Sequence, residues 1–138
     1  MTTISGLEAG LAGSAEILVG TRDTAPHVGS GKIKVLATPV MVSLMEEAAL
    51  NAVEGLLPPG FQTVGTRLDI THVAATPVGL RVRATAEVTK VDGRRITFRV
   101  WAEDDRERIG EGTHERIVVN VSRFDARAQE KVSARGQN

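Results

Sequence analysis

Three side chains of this 138-residue chain have the types needed to open an acyl bond: the hydroxyl of Thr38, the carboxylate of Glu46 and the imidazole of His72. A hydroxyl or a water becomes a useful nucleophile only beside a base. An imidazole or a carboxylate in a partly apolar setting can be that base, because burial moves its pKa toward the working range. Each residue also has a plainer reading. Thr38 directly precedes Pro39, so it suits a helix N-cap, with the proline at the first helical position. Glu46 could be a boundary glutamate reaching for solvent. His72 could be a core histidine with a satisfied hydrogen bond. Their company favours the chemical reading: a helix N-terminus near a hydroxyl supplies free N–H groups and positive polarity for a developing oxyanion.

The helix that would carry two of the three runs from Ala37 to Gly55, with Pro58-Pro59 forbidding continuation. It is expected to be roughly 25 Å long. At 100° per residue, Ser43, Glu47, Asn51 and Glu54 form a narrow polar stripe, and most of the remaining circumference is apolar. Glu46 lies outside that stripe, with Val42, Ala49, Leu50 and Val53 as its helical neighbours. Such a helix is covered on more than one side.

The rest of the chain reads as strands. Residues 15–22 form a first strand after a small, polar, irregular beginning. Residues 23–35 form a loop long enough to be a lid. From Gln62 the alternation becomes two-residue: Leu68, Ile70, His72 and Ala74 point one way, Arg67, Asp69 and Thr71 the other. Strands over 80–91, 94–103 and 107–121 follow, joined by a hairpin at Asp92-Gly93 and a turn at Asp104-Asp105-Arg106. The last strand is expected to bend or bulge at Gly110-Glu111-Gly112, and a short helix over 122–132 to close the chain. One long helix against about five antiparallel strands is an α+β layer architecture in a single domain, 1–138. A helix wrapped by a strongly curved sheet of this kind is the hot-dog fold. Its open edge predicts a homodimer.

Composition narrows the function classes. Seventeen basic and seventeen acidic residues give no net charge, which argues against a general nucleic-acid or membrane-surface footprint. There is no cysteine, hence no thiol nucleophile or zinc thiolate site. The histidines at 27, 72 and 114 lack metal-ligand spacing. No apolar run reaches the ~20 residues of a membrane span, and the beginning lacks a basic signal-peptide region. A cytoplasmic protein needing no metal and no cofactor is the expectation.

Four stretches together resemble one family: Ala37-Thr38-Pro39-Val40-Met41-Val42-Ser43-Leu44-Met45-Glu46; Thr71-His72-Val73-Ala74-Ala75-Thr76-Pro77-Val78-Gly79-Leu80; Val91-Asp92-Gly93-Arg94-Arg95; and Gly112-Thr113-His114-Glu115-Arg116. In this order they look like the fluoroacetyl-CoA thioesterases, hot-dog proteins, over roughly 38–116. The resemblance implies that Thr38, Glu46 and His72 are catalytic. It also implies that Gly65 and Arg116 lie at the substrate, although by itself Arg116 could be a solvated strand arginine. Selective members carry aromatic residues in the lid before the threonine. Here the segment Val28-Gly29-Ser30-Gly31-Lys32-Ile33-Lys34-Val35-Leu36 has none, which argues against a fluorine-sized pocket. His114 reads as structural or exposed. Lys90, Arg94 and Arg95 flank a hairpin and could meet CoA phosphates, although a solvated turn explains them.

The expectation is a thioesterase hydrolysing a short or modest acyl-CoA. The alternative is a non-catalytic hot-dog module that binds acyl-CoA. A hydratase on the same fold ranks lower, because the Asn-Pro segment that usually supplies its catalytic pair is missing. Thr38 and Glu46, eight residues apart, stand about 12 Å apart along the helix and about 80° around it. They cannot touch within one chain. Either the substrate spans the gap or a second subunit brings its own residue across; because the resemblance to hot-dog dimers implies pockets at the subunit interface, the site is expected to take Glu46 from one subunit and Thr38, His72 or both from the other.

Overall fold

The computed structural model describes residues 4–136. Five strands and three helices follow one another as β1 (Ala12–Leu18), α1 (Ala25–Val28), α2 (Thr38–Val53), β2 (Phe61–His72), β3 (Arg81–Asp92), β4 (Arg95–Asp104), β5 (Arg108–Asn120) and α3 (Val121–Gly136). The strands form a single antiparallel sheet in the order β1-β3-β4-β5-β2. The sheet curls around α2, so β1 and β2 are its two open edges.

Helix α2 buries Met41, Leu44, Met45, Ala48, Ala49 and Val53. They meet the inward residues of the sheet, among them Val82, Ala84, Ala86, Ile96, Phe98 and Val100. Burying each large apolar side chain contributes about 1.5–3 kcal/mol. The expected polar stripe of Ser43, Glu47, Asn51 and Glu54 is exposed. The flank carrying Val42, Glu46 and Leu50 is only half-buried, on the side of edge strand β2.

β1 begins and ends earlier than the expected 15–22, and Gly13 explains the shift. A Cβ at Gly13 would stand 2.5 Å from the Ala48 carbonyl oxygen and from the Ala52 amide nitrogen. Only glycine lets β1 lie this close to the small-residue face of α2. The Asn51 side chain then donates a 2.9 Å hydrogen bond to the Ser14 carbonyl. Beyond Leu18 the chain turns away into the lid.

Within the lid, residues 25–28 form one helical turn that the alternation did not suggest. Pro26 sits in its first turn, and Gly29 ends it at φ 87°. The lid is pinned at its base. Ala37 N–H donates to the Asp23 carbonyl and Leu36 N–H to the Thr76 carbonyl, both at 2.8 Å. Thr76 is itself held, its hydroxyl donating to Asp104 at 2.8 Å.

Two sheet irregularities matter. In β2, Gly65 pairs with Arg116 and Arg67 with Glu115, so Thr66 is an inserted bulge residue. In β5 the irregularity falls at Ile109, just before the expected position: Ala102 pairs with Gly110 and Glu103 with Arg108. Through Gly110, Glu111 and Gly112 the register against β2 is regular. Glycine is needed there because the Thr71 and Asp69 carbonyls of β2 approach too closely for a Cβ. The closing helix α3 is longer than expected and exposed. The Asn120 side chain caps it by accepting from Arg123 N–H at 3.1 Å.

Candidate active site

Thr38 is the first residue of α2, one place later than an N-cap. Ala37 occupies the cap, and its carbonyl accepts from Val40 and Met41. The Thr38 hydroxyl makes no capping bond, which overturns the plainer reading. It lies 2.8 Å from His72 Nδ1 instead. β2 supplies His72 as its last residue, on the face that alternation assigned to it. A cavity of about 280 Å³ opens beside the pair, lined also by Ala25, Ser30, Val35 and Leu36 from the lid.

His72 Nε2 is buried and has no hydrogen-bond partner among the described residues. Burial lowers the pKa of the ring below the ordinary histidine value. The Ala74 backbone pulls the other way, although it makes no hydrogen bond of acceptable geometry with Nε2. A neutral ring protonated on Nε2 would accept from Thr38 through Nδ1, the polarity a general base requires.

A second cluster forms further along α2. Glu46 Oε2 stands 3.6 Å from Arg116 Nη1. Gly65 makes room for it: a Cβ there would come within 2.7 Å of Oε2. Arg116 is only 7% exposed, so it is no solvated strand arginine. Its Nε donates to Thr63 Oγ1 at 2.8 Å and its Nη2 to the Thr63 carbonyl at 3.1 Å. Burial pulls the guanidinium pKa down, and the Glu46 carboxylate opposes this.

Sequence reasoning missed Thr63 and His114 in this cluster. The signal was present in the β5 alternation: His114, Arg116 and Val118 share one buried face. A histidine and an arginine on an inward face need partners. Of the hairpin residues, Arg95 pairs with Glu115 at 3.1 Å, while Lys90 and Arg94 are exposed.

The structure thus brings Thr38 to His72, and Glu46 to Gly65 and Arg116. Among the described residues no hydrogen bond or ion pair joins the two clusters. The described residues also hold no group of three or more potential metal ligands.

A curved five-stranded antiparallel sheet around one helix, with a hydroxyl–imidazole pair at the helix start, defines a hot-dog protein of the thioesterase kind. Comparison with known proteins makes this specific. Residues 19–122 match the fluoroacetyl-CoA-specific thioesterase family, and the chain belongs to that family of thioester hydrolases. It is 46% identical over 101 residues to the fluoroacetyl-CoA thioesterase of Streptantibioticus cattleyicolor, covering 73% of each chain. The solved structure of the fluoroacetyl-CoA thioesterase FlK superposes with a TM-score of 0.87 at 38% identity, covering 92% of this chain and 98% of that one. A thioesterase superfamily member from Thermus thermophilus follows at TM-score 0.84 and 28% identity, covering 97% and 99%.

Proposed function

We propose that this protein hydrolyses a short or modest acyl-CoA to the free acid and CoA, using Thr38, Glu46 and His72. Water adds its oxygen to the acyl carbon, the carbon–sulfur bond breaks, and the sulfur leaves as the CoA thiol after taking up a proton. The observation that carries this reading is the 2.8 Å contact between Thr38 and His72, with the hydroxyl released from capping. Glu46 acts as base on water or on Thr38, or as nucleophile. His72 orients the nucleophile and relays the proton. The first N–H groups of α2 and the N–H of Gly65 polarise the thioester carbonyl. Gly65 and Arg116 lie at the substrate, with Arg116 facing Glu46 at 3.6 Å from the inward face of β5.

The working unit is a homodimer joined along β2, whose outer edge is unpaired in one chain. An antiparallel pairing of β2 with its own copy about a two-fold axis near the middle of the strand would run the Gly65 half of one copy toward the His72 end of the other. Glu46, lodged at Gly65, then faces the Thr38–His72 pair of the partner subunit. The aromatic-free lid fits an acyl group not confined to fluoroacetyl.

Release of free CoA from a panel of acyl-CoAs tests the activity. Turnover of none, together with tight binding of one, would make the protein a binding module. Mixing inactive Glu46→Gln with inactive His72→Ala subunits tests the split. Heterodimers form half of an equal mixture, and one of their two sites is intact, so about a quarter of wild-type activity should return. Verified subunit exchange with no recovery would place Glu46 and His72 in the same site of one chain.

A further inference from the structure

His114 lies on the inward face of β5 at 1% exposure. Its ring stacks on Phe98 with centroids 5.9 Å apart. Both ring nitrogens have partners, and the partners dictate the tautomer. Nδ1 is 2.8 Å from the Arg67 carbonyl oxygen. A carbonyl only accepts, so Nδ1 carries the proton. Nε2 is 3.2 Å from Arg116 Nη1. A guanidinium only donates, so Nε2 presents its lone pair. The neutral Nδ1–H ring is the one form that satisfies both neighbours. The bulge at Thr66 lies next to Arg67, the residue whose carbonyl fixes the ring.

Arg116 Nη1 therefore has two acceptors in reach. Nε2 of His114 takes it at hydrogen-bond distance, while Oε2 of Glu46 stands off at 3.6 Å. The other edge of the guanidinium is fixed on Thr63. We infer that His114 is a positioning residue: with Thr63 it anchors the guanidinium, holding Nη1 at its own Nε2, and so keeps the Glu46 carboxylate from closing into a tight ion pair. Left without that anchor, the Glu46 carboxylate would close on Nη1 to the 2.7–2.9 Å typical of a charge-assisted bond, about 0.8 Å nearer. An oxygen engaged in this way is a poorer base and is displaced from Gly65. The inference rests on Glu46 acting in the proposed hydrolysis.

Burial holds the His114 pKa below the ordinary histidine value, and the Arg116 cation adds to this. The Arg67 carbonyl, Glu46 and Glu115 oppose it. The ring accordingly remains a neutral acceptor at neutral pH.

Two variants separate positioning from packing. In His114→Asn the amide can still donate to Arg67 but falls short of Arg116. In His114→Gln the amide oxygen reaches about as far as Nε2. His114→Asn should lower kcat by roughly 10–10²-fold, since a displacement near 1 Å at a reacting group costs on that order. KM should stay within about threefold, and His114→Gln should recover most of the loss. In the crystal structure of His114→Asn the Nη1–Oε2 distance should fall below 3.0 Å. Nitrogen-15 NMR of the wild-type protein should show His114 protonated on Nδ1.

Wild-type kcat in His114→Asn beside an inactive Glu46→Gln would overturn the inference while leaving the function standing. An unchanged Nη1–Oε2 gap in that variant would overturn it too. Should His114→Asn fail to fold, the wild-type NMR decides, and a ring protonated on Nε2 refutes the inference. Full activity in Glu46→Gln would instead count against the proposed role of Glu46.

Discussion

Adding a single methyl group tests the geometry around Glu46 most directly. In Gly65→Ala the new Cβ would stand 2.7 Å from Glu46 Oε2, 3.1 Å from His114 Cε1 and 3.4 Å from Arg116 Nη1. Of these neighbours only the carboxylate can yield. Its side chain is 39% exposed, whereas His114 is stacked and bonded at both nitrogens and Arg116 is clamped on Thr63. To move from 2.7 Å to an ordinary contact of 3.4 Å, Oε2 must retreat by about 0.7 Å. A misplacement of that size should lower kcat/KM by roughly 10–10²-fold. Stability should change little. Gly65 does not have a positive φ, so alanine fits its backbone. The loss of freedom in the unfolded chain returns about 0.4–1 kcal/mol against the tight contact with His114. Steady-state kinetics on the best acyl-CoA and a thermal melt measure both effects. A double-mutant cycle adds specificity, because the residual activity of Glu46→Gln should fall little further with Gly65→Ala. Wild-type kinetics in Gly65→Ala, or an equal loss in both backgrounds, would refute the placement of Glu46 in the reaction.

Three further outcomes are expected. Glu46→Gln and His72→Ala should each lower turnover by roughly 10²–10⁴, the range for a lost acid–base group; near-full activity in both would sink the site. Fluoroacetyl-CoA should not be preferred over acetyl-CoA by more than about a hundredfold in kcat/KM, or ~2.7 kcal/mol, and competition assays showing more would place selectivity outside the lid aromatics. His72 and His114 both have folded-state pKa values below 6.5, so the unfolded chain binds their protons first. Stability should be full above about that pH and decline as pH falls through the interval below it; melting temperatures from pH 8 to 5 that stay level would contradict the buried, neutral rings.

Much of the fold was legible because its periodicities are clean. The three residues that read as catalytic were legible by type, but their grouping was not. Thr38 looked like an N-cap because Thr-Pro is equally good at N-cap and N1 or at N1 and N2, and only the position of Ala37 distinguishes these. β1 was misplaced because its start is set by Gly13 lying against the backbone of α2, a tertiary contact with no local signature. The lid turn at residues 25–28 is tied to the rest of the lid by the hydrogen bond from Ala25 N–H to the Val35 carbonyl, a contact with no local signature. Arg116 and His114 looked solvated or structural because a polar residue on an inward face is legible only together with its partners. Those partners, Thr63, Arg67 and Glu46, come from β2 and α2.

The two clusters share one deficiency that follows from where they lie. Proton transfer and oxyanion stabilisation are effective where water is excluded and the donors are fixed. In the single chain Thr38 is exposed, Glu46 is partly exposed, and both lie along edge strand β2. Among the described residues His72 Nε2 is buried without a partner, although a buried polar atom normally finds one. Leu68 at 37% and Val73 at 75% exposure lie on or just beyond the same strand. An unpaired edge, uncovered apolar side chains and an orphaned ring nitrogen thus occur in one region. Pairing β2 with its copy would cover the edge, bury those side chains and bring each Glu46 toward a partner His72. Folding and catalysis would then depend on the same contact, and dilution that dissociates the dimer should abolish turnover.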